Sequence, residues 1–359
     1  MDAEGSHIPT DRRPGRAATA NAAGRFEPYA REALNDGWER EPLPPLRTEV
    51  TEERTRKALA ANDSPDIPFD RSLNPYRGCE HGCIYCYARP THAWLGLSPG
   101  LDFETRLIAK PGAPAALVRE LGAKGYVPRP IALGTATDPY QPIERDRRIT
   151  RALLEVLRSH RHPVVLATRG TLIERDLDLL APMAAEGLVK VGVSVTTLDP
   201  SLSRAMEPRA PAPARRLQTI RRLSEAGVPV RAMVSPVIPA LTDHEIEAIL
   251  AAASDAGARA ASLIVLRLPR EIADLFRDWL DERFPDRAAR VMNRVRELHG
   301  GSDYDSGWGT RMTGQGEWAR LMRARFDLAA RRLGLGGMPP LRTDLFRVPR
   351  APDPQLSLF

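Results

Sequence analysis

From Asp70 onward the chain alternates short apolar runs with stretches in which apolar residues recur every three or four positions. The short runs predict strands and the recurring stretches predict helices. Their regular alternation predicts βα units around a parallel sheet. Six strands are expected, at 72–76, 131–134, 164–168, 189–195, 228–235 and 262–268. Leu217, Ile220 and Leu223 share one helical face that stops at Gly227, before Pro229. Thr242 and Glu245 read as a capping box ahead of Ile246, Ile249 and Leu250, with Gly257 ending that helix.

The flanks read differently. Residues 1–66 are rich in Arg, Pro, Ala and Glu without sustained periodicity, and predict an extended arm with a helix over 52–61. Residues 67–270 hold the βα units. Residues 271–348 form a helical extension, with helices over 271–284, 287–299 and 317–333 and a glycine-rich stretch at 300–309 that reads as a connector or lid. Residues 349–359 are a polar, proline-bearing tail.

A chain of 359 residues can bury a large core. It has no apolar run long enough to span a bilayer, and its first residues lack a basic-then-apolar signal pattern. The expectation is therefore a soluble cytoplasmic protein with no membrane partner. The net charge of +6 suits a polyanionic partner. Its arginines are spread without a dense block, however, so charge alone names no partner.

The chemistry is concentrated in one place. All 3 cysteines, Cys79, Cys83 and Cys86, fall in one C-x3-C-x2-C run directly after the first expected strand. Three thiolates are one short of a tetrahedral site, but they can hold three irons of a [4Fe–4S] cluster while the fourth iron stays open to another ligand. A structural zinc completed by His81 or His92 is the competing reading, and simple burial of the thiols a third. Zinc sites usually pair their ligands in two separated groups, and no second pair exists here. The odd count and the expected reducing compartment disfavour a disulfide.

This segment closely resembles the radical S-adenosylmethionine (SAM) enzymes. Asn74-Pro75-Tyr76-Arg77-Gly78-Cys79, Tyr85-Cys86-Tyr87, Gly134-Thr135-Ala136-Thr137-Asp138-Pro139-Tyr140-Gln141 and Glu207-Pro208-Arg209 are similar to the spore photoproduct lyase-like branch, often labelled DNA repair photolyases. The likeness runs from about Asn74 to Pro239. It implies a partial (β/α)6 TIM-like barrel, with chemistry at the carboxyl ends of the strands. It also implies two cofactors, a [4Fe–4S] cluster and SAM, with reductive cleavage to a 5′-deoxyadenosyl radical and an electron donor such as flavodoxin or ferredoxin.

Carried over residue by residue, the resemblance places Arg169 at the SAM carboxylate and Ser194 at its amino or ribose groups, with Ser235 presenting backbone to the adenine. Gly134 and Thr135, with Asp138, stand in for a missing Gly-Gly-Glu. Tyr85 and Tyr87 match the tyrosines that relay hydrogen in the lyase. The lyase also uses a cysteine donor near the second strand, and this chain has no fourth cysteine, so that relay is incomplete here.

Three functions remain open on this reading. The first is a radical SAM enzyme acting on DNA lesions. The second is one modifying a protein, a tRNA or a small metabolite. The third is a cluster- or zinc-bearing interaction module without turnover. The final residues bear on the choice: Gln355, Leu356, Ser357, Leu358 and Phe359 resemble the pentapeptide by which bacterial repair proteins bind the sliding clamp, with Leu and Phe as apolar anchors.

Overall fold

The computed structural model describes residues 15–27 and 45–349. Its strands are β1 (Glu49–Glu52), β2 (Leu59–Ala61), β3 (Arg71–Leu73), β4 (Tyr76–Arg77), β5 (Arg106–Ala109), β6 (Ile131–Leu133), β7 (Val164–Thr168), β8 (Val189–Ser194), β9 (Val230–Val237) and β10 (Ala260–Val265). The main sheet has 7 strands in the order β10-β9-β8-β7-β6-β3-β2. All its pairs are parallel except β2 with β3. Six parallel strands in chain order, with helices between them and β10 an edge that no further strand joins among the described residues, make a partial TIM-like barrel.

The valine and leucine runs explain the sheet. Val164, Leu166, Val189, Val191, Val193, Val230, Ala232 and Val234 are buried in one core with Leu153, Leu154, Leu157, Ile220, Leu223, Ile246, Ile249 and Leu250 of the surrounding helices. A second core joins the carboxyl rim to the helices Ile272–Arg283 and Pro285–Leu298, through Leu266, Leu268, Phe276, Trp279, Val291 and Val295. Cys83, Ile84 and Tyr85 belong to this second core. The helical extension is thus the apolar bed on which the cysteine loop lies.

Several expectations change. The helix expected over 52–61 is absent. β1 pairs with β5, and β2 adds an antiparallel edge to β3, so the sheet begins inside the segment read as an arm. The first expected strand is cut after Leu73, and Tyr76–Arg77 turns away to pair antiparallel with β5. This small sheet delivers the chain into the cysteine loop. The capping box also fails: Glu245 instead accepts from Thr197 Oγ1 at 2.6 Å and from Leu198 N at 2.6 Å, while the Thr242 hydroxyl accepts from Ile238 N.

The glycine-rich stretch leads into a bridge between the two sheet edges. Val265 N donates to Met312 O at 3.1 Å. Asp66, in the β2–β3 connection, accepts from Gly309 N at 2.8 Å and from Arg311 Nε at 2.5 Å. Side chains and one loop therefore span the seam that strand pairing leaves open.

After the helix Gly316–Arg332 a strap crosses the amino ends of the strands. Gly336 bridges Ala260, Arg342 N donates to Gly187 O, and Arg347 N donates to His160 O at 2.8 Å. Phe346 meets the His162 ring edge-on at 5.3 Å. His162 Nδ1 faces Pro163 O at 3.0 Å and so carries the hydrogen, which leaves Nε2 to accept from the Tyr126 hydroxyl at 2.8 Å. Burial, helped by the nearby Arg71 guanidinium and opposed by the bond to Pro163 O, pushes the His162 imidazole down to about 4.

The unfolded chain binds a proton at His162 below its ordinary value of about 6.5, whereas the folded chain does not until about pH 4. Stability is therefore expected to fall by about 3 kcal/mol as pH drops through that window. Urea unfolding at pH 7 and pH 4 checks this, and His162→Gln is expected to flatten the slope. An unchanged slope in the variant would assign the acid sensitivity elsewhere.

Candidate active site

The loop that carries the cysteines is folded around one buried side chain. Arg89 is fully buried and spends all five of its N–H donors. Nε donates to Cys83 O at 2.8 Å, Nη1 to Pro99 O at 3.0 Å and Gly100 O at 2.9 Å, and Nη2 to Gly82 O at 2.9 Å and Glu104 Oε1 at 2.5 Å. Glu104 in turn accepts from Ala17 N at 3.2 Å and Ala18 N at 3.0 Å. The segment 15–18 is thereby laid over the loop, and Ala17 packs with Cys83, Ile84 and Tyr85. Arg16 fixes the same segment through Glu104 O at 2.8 Å, Leu46 O at 3.0 Å and Thr48 Oγ1 at 3.0 Å.

The close packing requires glycine at two places. Gly78 has φ +74° and Gly82 φ +64°. A Cβ at Gly78 would lie 2.6 Å from Leu107 and 2.9 Å from Phe103 O, and one at Gly82 would lie 2.5 Å from the Glu104 carboxylate. Any side chain there would push the loop off its support.

Cys79 and Cys83 are buried and Cys86 is half-buried, all as free thiols. The three stand close enough to feel one another's charge. Burial pushes the Cys79 thiol well up and the Cys83 thiol up to about 12, with Arg169 opposing the latter. Among the described residues no three His, Cys, Asp or Glu side chains converge on a single-ion site. His81 faces Asp138 at 3.3 Å and His92 Nε2 faces Arg106 O at 3.0 Å, so neither completes a zinc set in this arrangement. A cubane cluster takes one thiolate per iron and needs no common point, so this donor set fits it better than one zinc ion.

Beside the thiols lies a charge network. The Tyr85 hydroxyl donates to Glu207 and accepts from Arg169 Nη1 at 2.7 Å. Glu207 also accepts from Arg169 Nη1 at 2.6 Å, from Thr196 Oγ1 at 3.0 Å and from Arg216. Burial opposes ionisation of Glu207, but Arg216 and then Arg169 outweigh it and hold the carboxyl at about 2. Burial pushes the Tyr85 phenol far up, so it stays a neutral hydrogen-bond donor. Glu207 was legible only as part of a motif, and Arg216 was not singled out at all. The available signal was an arginine on the same helical face as Ile220 and Leu223.

Tyr87 is placed differently. Its hydroxyl donates to Thr135 O, its ring is 47% exposed, and the Arg267 guanidinium sits 4.5 Å above the ring centroid. Asn74 Nδ2 donates to Thr135 Oγ1 at 3.1 Å, which steadies the same rim. Gly134 lies at the turn after β6. Asp138 is fully occupied, accepting from Thr168 Oγ1 at 2.6 Å and from Arg169 N at 2.8 Å beside His81. Burial opposes its ionisation as well, and His81 together with these bonds holds it at about 2. Asp138 thus organises the rim from within.

Ser194 is buried at the end of β8, where its carbonyl accepts from Arg216 at 3.3 Å. Ser235 Oγ, near the end of β9, is buried with no hydrogen-bond partner among the described residues. An orphaned hydroxyl at the carboxyl rim has the chemistry to bond a polar group of a bound nucleoside, beyond the backbone contact expected of Ser235.

Residues 73–253 match the family model of the radical SAM superfamily. An uncharacterized protein of Mycobacterium tuberculosis is 37% identical over 235 residues, covering 65% of this chain and 68% of its own. Among solved structures, a point mutant of spore photoproduct lyase aligns with a TM-score of 0.56 at 14% identity, over 79% of each chain. A double mutant of the same enzyme with bound AdoMet and dinucleoside spore photoproduct aligns at 0.55 and 14%, over 79% of this chain and 78% of its own. At that identity the likeness is one of fold.

Removing the Glu207 charge would strand Arg216 and Arg169 in the interior. Glu207→Gln is expected to cost roughly 3–5 kcal/mol in urea unfolding. Glu247→Gln, which breaks the exposed pair with Arg325, is expected to cost about 1 kcal/mol or less. Equal losses in the two variants would mean that the buried network carries no special weight.

Proposed function

Because this chain belongs to the radical SAM superfamily, we propose that Cys79, Cys83 and Cys86 hold three irons of a [4Fe–4S] cluster in an enzyme that abstracts hydrogen from a nucleic-acid substrate, with DNA lesions as the favoured class. The observation that carries this reading is the placement of three free thiols on one short loop at the carboxyl rim of a partial barrel, beside two tyrosines of opposite exposure. When bound, the reduced cluster and SAM supply one chemistry: a single electron splits the sulfonium into methionine and a 5′-deoxyadenosyl radical, which takes a hydrogen atom from the substrate. A flavodoxin or ferredoxin is the class of donor that suits that electron.

The chain's own residues do the positioning. Arg89 and Glu104 hold the loop, and residues 15–18 cover it. Arg169 Nη1 is committed to Tyr85 and Glu207, which leaves Nη2 as the donor for the SAM carboxylate. Ser235 Oγ is the unmatched hydroxyl for the nucleoside end. Tyr87 presents its ring to an incoming substrate and is the nearer candidate to return hydrogen in a chain without a fourth cysteine.

The DNA preference rests on the fold shared with a lyase whose solved structures hold dinucleoside spore photoproduct. Modification of a protein, a tRNA or a small metabolite is the alternative, and a non-catalytic module the second. Recruitment to replicating DNA through Gln355, Leu356, Ser357, Leu358 and Phe359 belongs to the same proposal, although these residues lie outside the described ones. A peptide with this ending is expected to bind the bacterial sliding clamp at micromolar Kd, about 8 kcal/mol, and to lose most of that on Ala replacement of Leu358 and Phe359. Calorimetry showing no heat for the peptide or the full chain would remove the recruitment arm.

Anaerobic reconstitution is expected to load about four irons and four sulfides per chain, and Ala at any of the three cysteines to abolish loading. SAM is then expected to change the EPR spectrum of the reduced protein, with 5′-deoxyadenosine released even without substrate. Stoichiometric zinc without iron uptake would refute the cluster, and a spectrum indifferent to SAM would favour the non-catalytic module.

A further inference from the structure

One residue beyond the end of β10, after Leu266, the chain runs Arg267-Leu268-Pro269-Arg270. Leu268 is buried and anchors the loop in the second core. Arg267 is held over the exposed ring of Tyr87, and Arg270 is exposed with a left-handed backbone at φ 58°. Neither forms an ion pair with a described residue. That sets them apart from the neighbouring cations. Arg169 is matched by Glu207, Arg209 by Glu80 and Arg25 by Glu271.

The same edge carries exposed aromatic surface. Arg25 Nη1 donates to Glu271 at 2.8 Å, one residue past Arg270, and Nη2 donates to Pro90 O at 3.2 Å. Next to Arg25, Phe26 and Trp94 pack at a tilt of 43° with centroids 4.6 Å apart, and they are 52% and 70% exposed. Arg25 lies over both rings, at 4.9 and 5.6 Å. Tyr87, the Arg267–Arg270 loop and the Phe26–Trp94 pair thus follow one another along one side of the site. Unpaired guanidiniums suit phosphate oxygens. Solvent-exposed aromatic rings suit unstacked bases. An acidic peptide would use the first feature and leave the second without a purpose.

We infer that this edge is a phosphodiester-binding subsite, in which Arg267 and Arg270 take backbone phosphates of a single-stranded nucleic-acid segment and Phe26 and Trp94 stack its bases, so that the strand lies across Tyr87. This rests on the nucleic-acid reading above and gives it a location. Arg267 is a positioning residue here, since its contact is with the strand backbone.

The test is fluorescence anisotropy of a labelled single-stranded DNA oligonucleotide with the anaerobically reconstituted full chain over a salt series. Arg267→Ala is expected to weaken binding about tenfold and to lower the slope of log affinity against log salt by about 1. Trp94→Ala is expected to weaken binding about tenfold with the slope unchanged, because stacking releases no counterions. If Arg267→Ala loses its fold by circular dichroism, Arg270→Ala carries the same expectation from an exposed position.

Binding by the native chain with slopes unmoved in both arginine variants would overturn the subsite and leave the nucleic-acid reading standing. No binding by a chain that still responds to SAM would overturn both. Displacement of the oligonucleotide by inorganic phosphate at matched phosphate concentration would reduce the edge to a simple anion site and overturn the strand assignment. Displacement by a poly-glutamate peptide with no effect of Trp94→Ala would do so in favour of a protein partner.

Discussion

Everything at the rim depends on the buried guanidinium of Arg89. An arginine in the interior is costly unless each of its donors is matched, and here four carbonyls and the Glu104 carboxylate match all five. The consequence is geometric. Turning the carbonyls of Gly82 and Cys83 toward Arg89 closes the loop around that side chain. The thiols are left against an apolar wall of Ile84, Ala88, Phe103 and Ala136. Glu104 balances the charge and then uses its remaining acceptor capacity to hold the backbone of residues 17 and 18. One ion pair therefore shapes the loop, neutralises it and covers it.

The Glu207 network makes the same kind of connection over longer distances in the chain. It ties Tyr85 in the cysteine loop to Arg169 after β7, Thr196 after β8 and Arg216 on a flanking helix. Such a network is weak evidence of stability in itself, because apolar residues could fill the same volume. Its value is positional. Tyr85 cannot rotate away without leaving Glu207 short of a donor, so the phenol stays where the thiols are.

What could be read from the sequence follows the range of the interactions. β7 and β8 were legible because their core positions are written as short β-branched and leucine runs, with Val164 and Leu166 buried in one and Val189, Val191 and Val193 in the other, and Gly227 and Gly257 marked helix ends locally. The three cysteines were legible because their spacing is local too. β1 and β2 were not, since both exist by pairing with segments across the chain: Glu49 with Arg106, and Leu59 with Leu73. The charged and Ala-bearing composition of 52–61 favours a helix only while those partners are out of sight. Glu245 failed as a cap for the same reason, because Thr197 and Leu198 reach it first. Arg267 passed unnoticed because a lone arginine after a strand carries no signal until the ring beneath it is known.

The two tyrosines flank Cys86 yet face different surroundings. Tyr85 is buried within a charge network, and Tyr87 is open to the rim with a cation above its ring. That contrast decides which of the two can move. Tyr87 lies nearer solvent than Tyr85, and its bond to a backbone carbonyl can break without stranding a buried charge. The bond from Tyr85 to Glu207 cannot. Of the two, only Tyr87 can change its partner without breaking a buried charge network, so Tyr85 is the fixed member of the pair and Tyr87 the adaptable one.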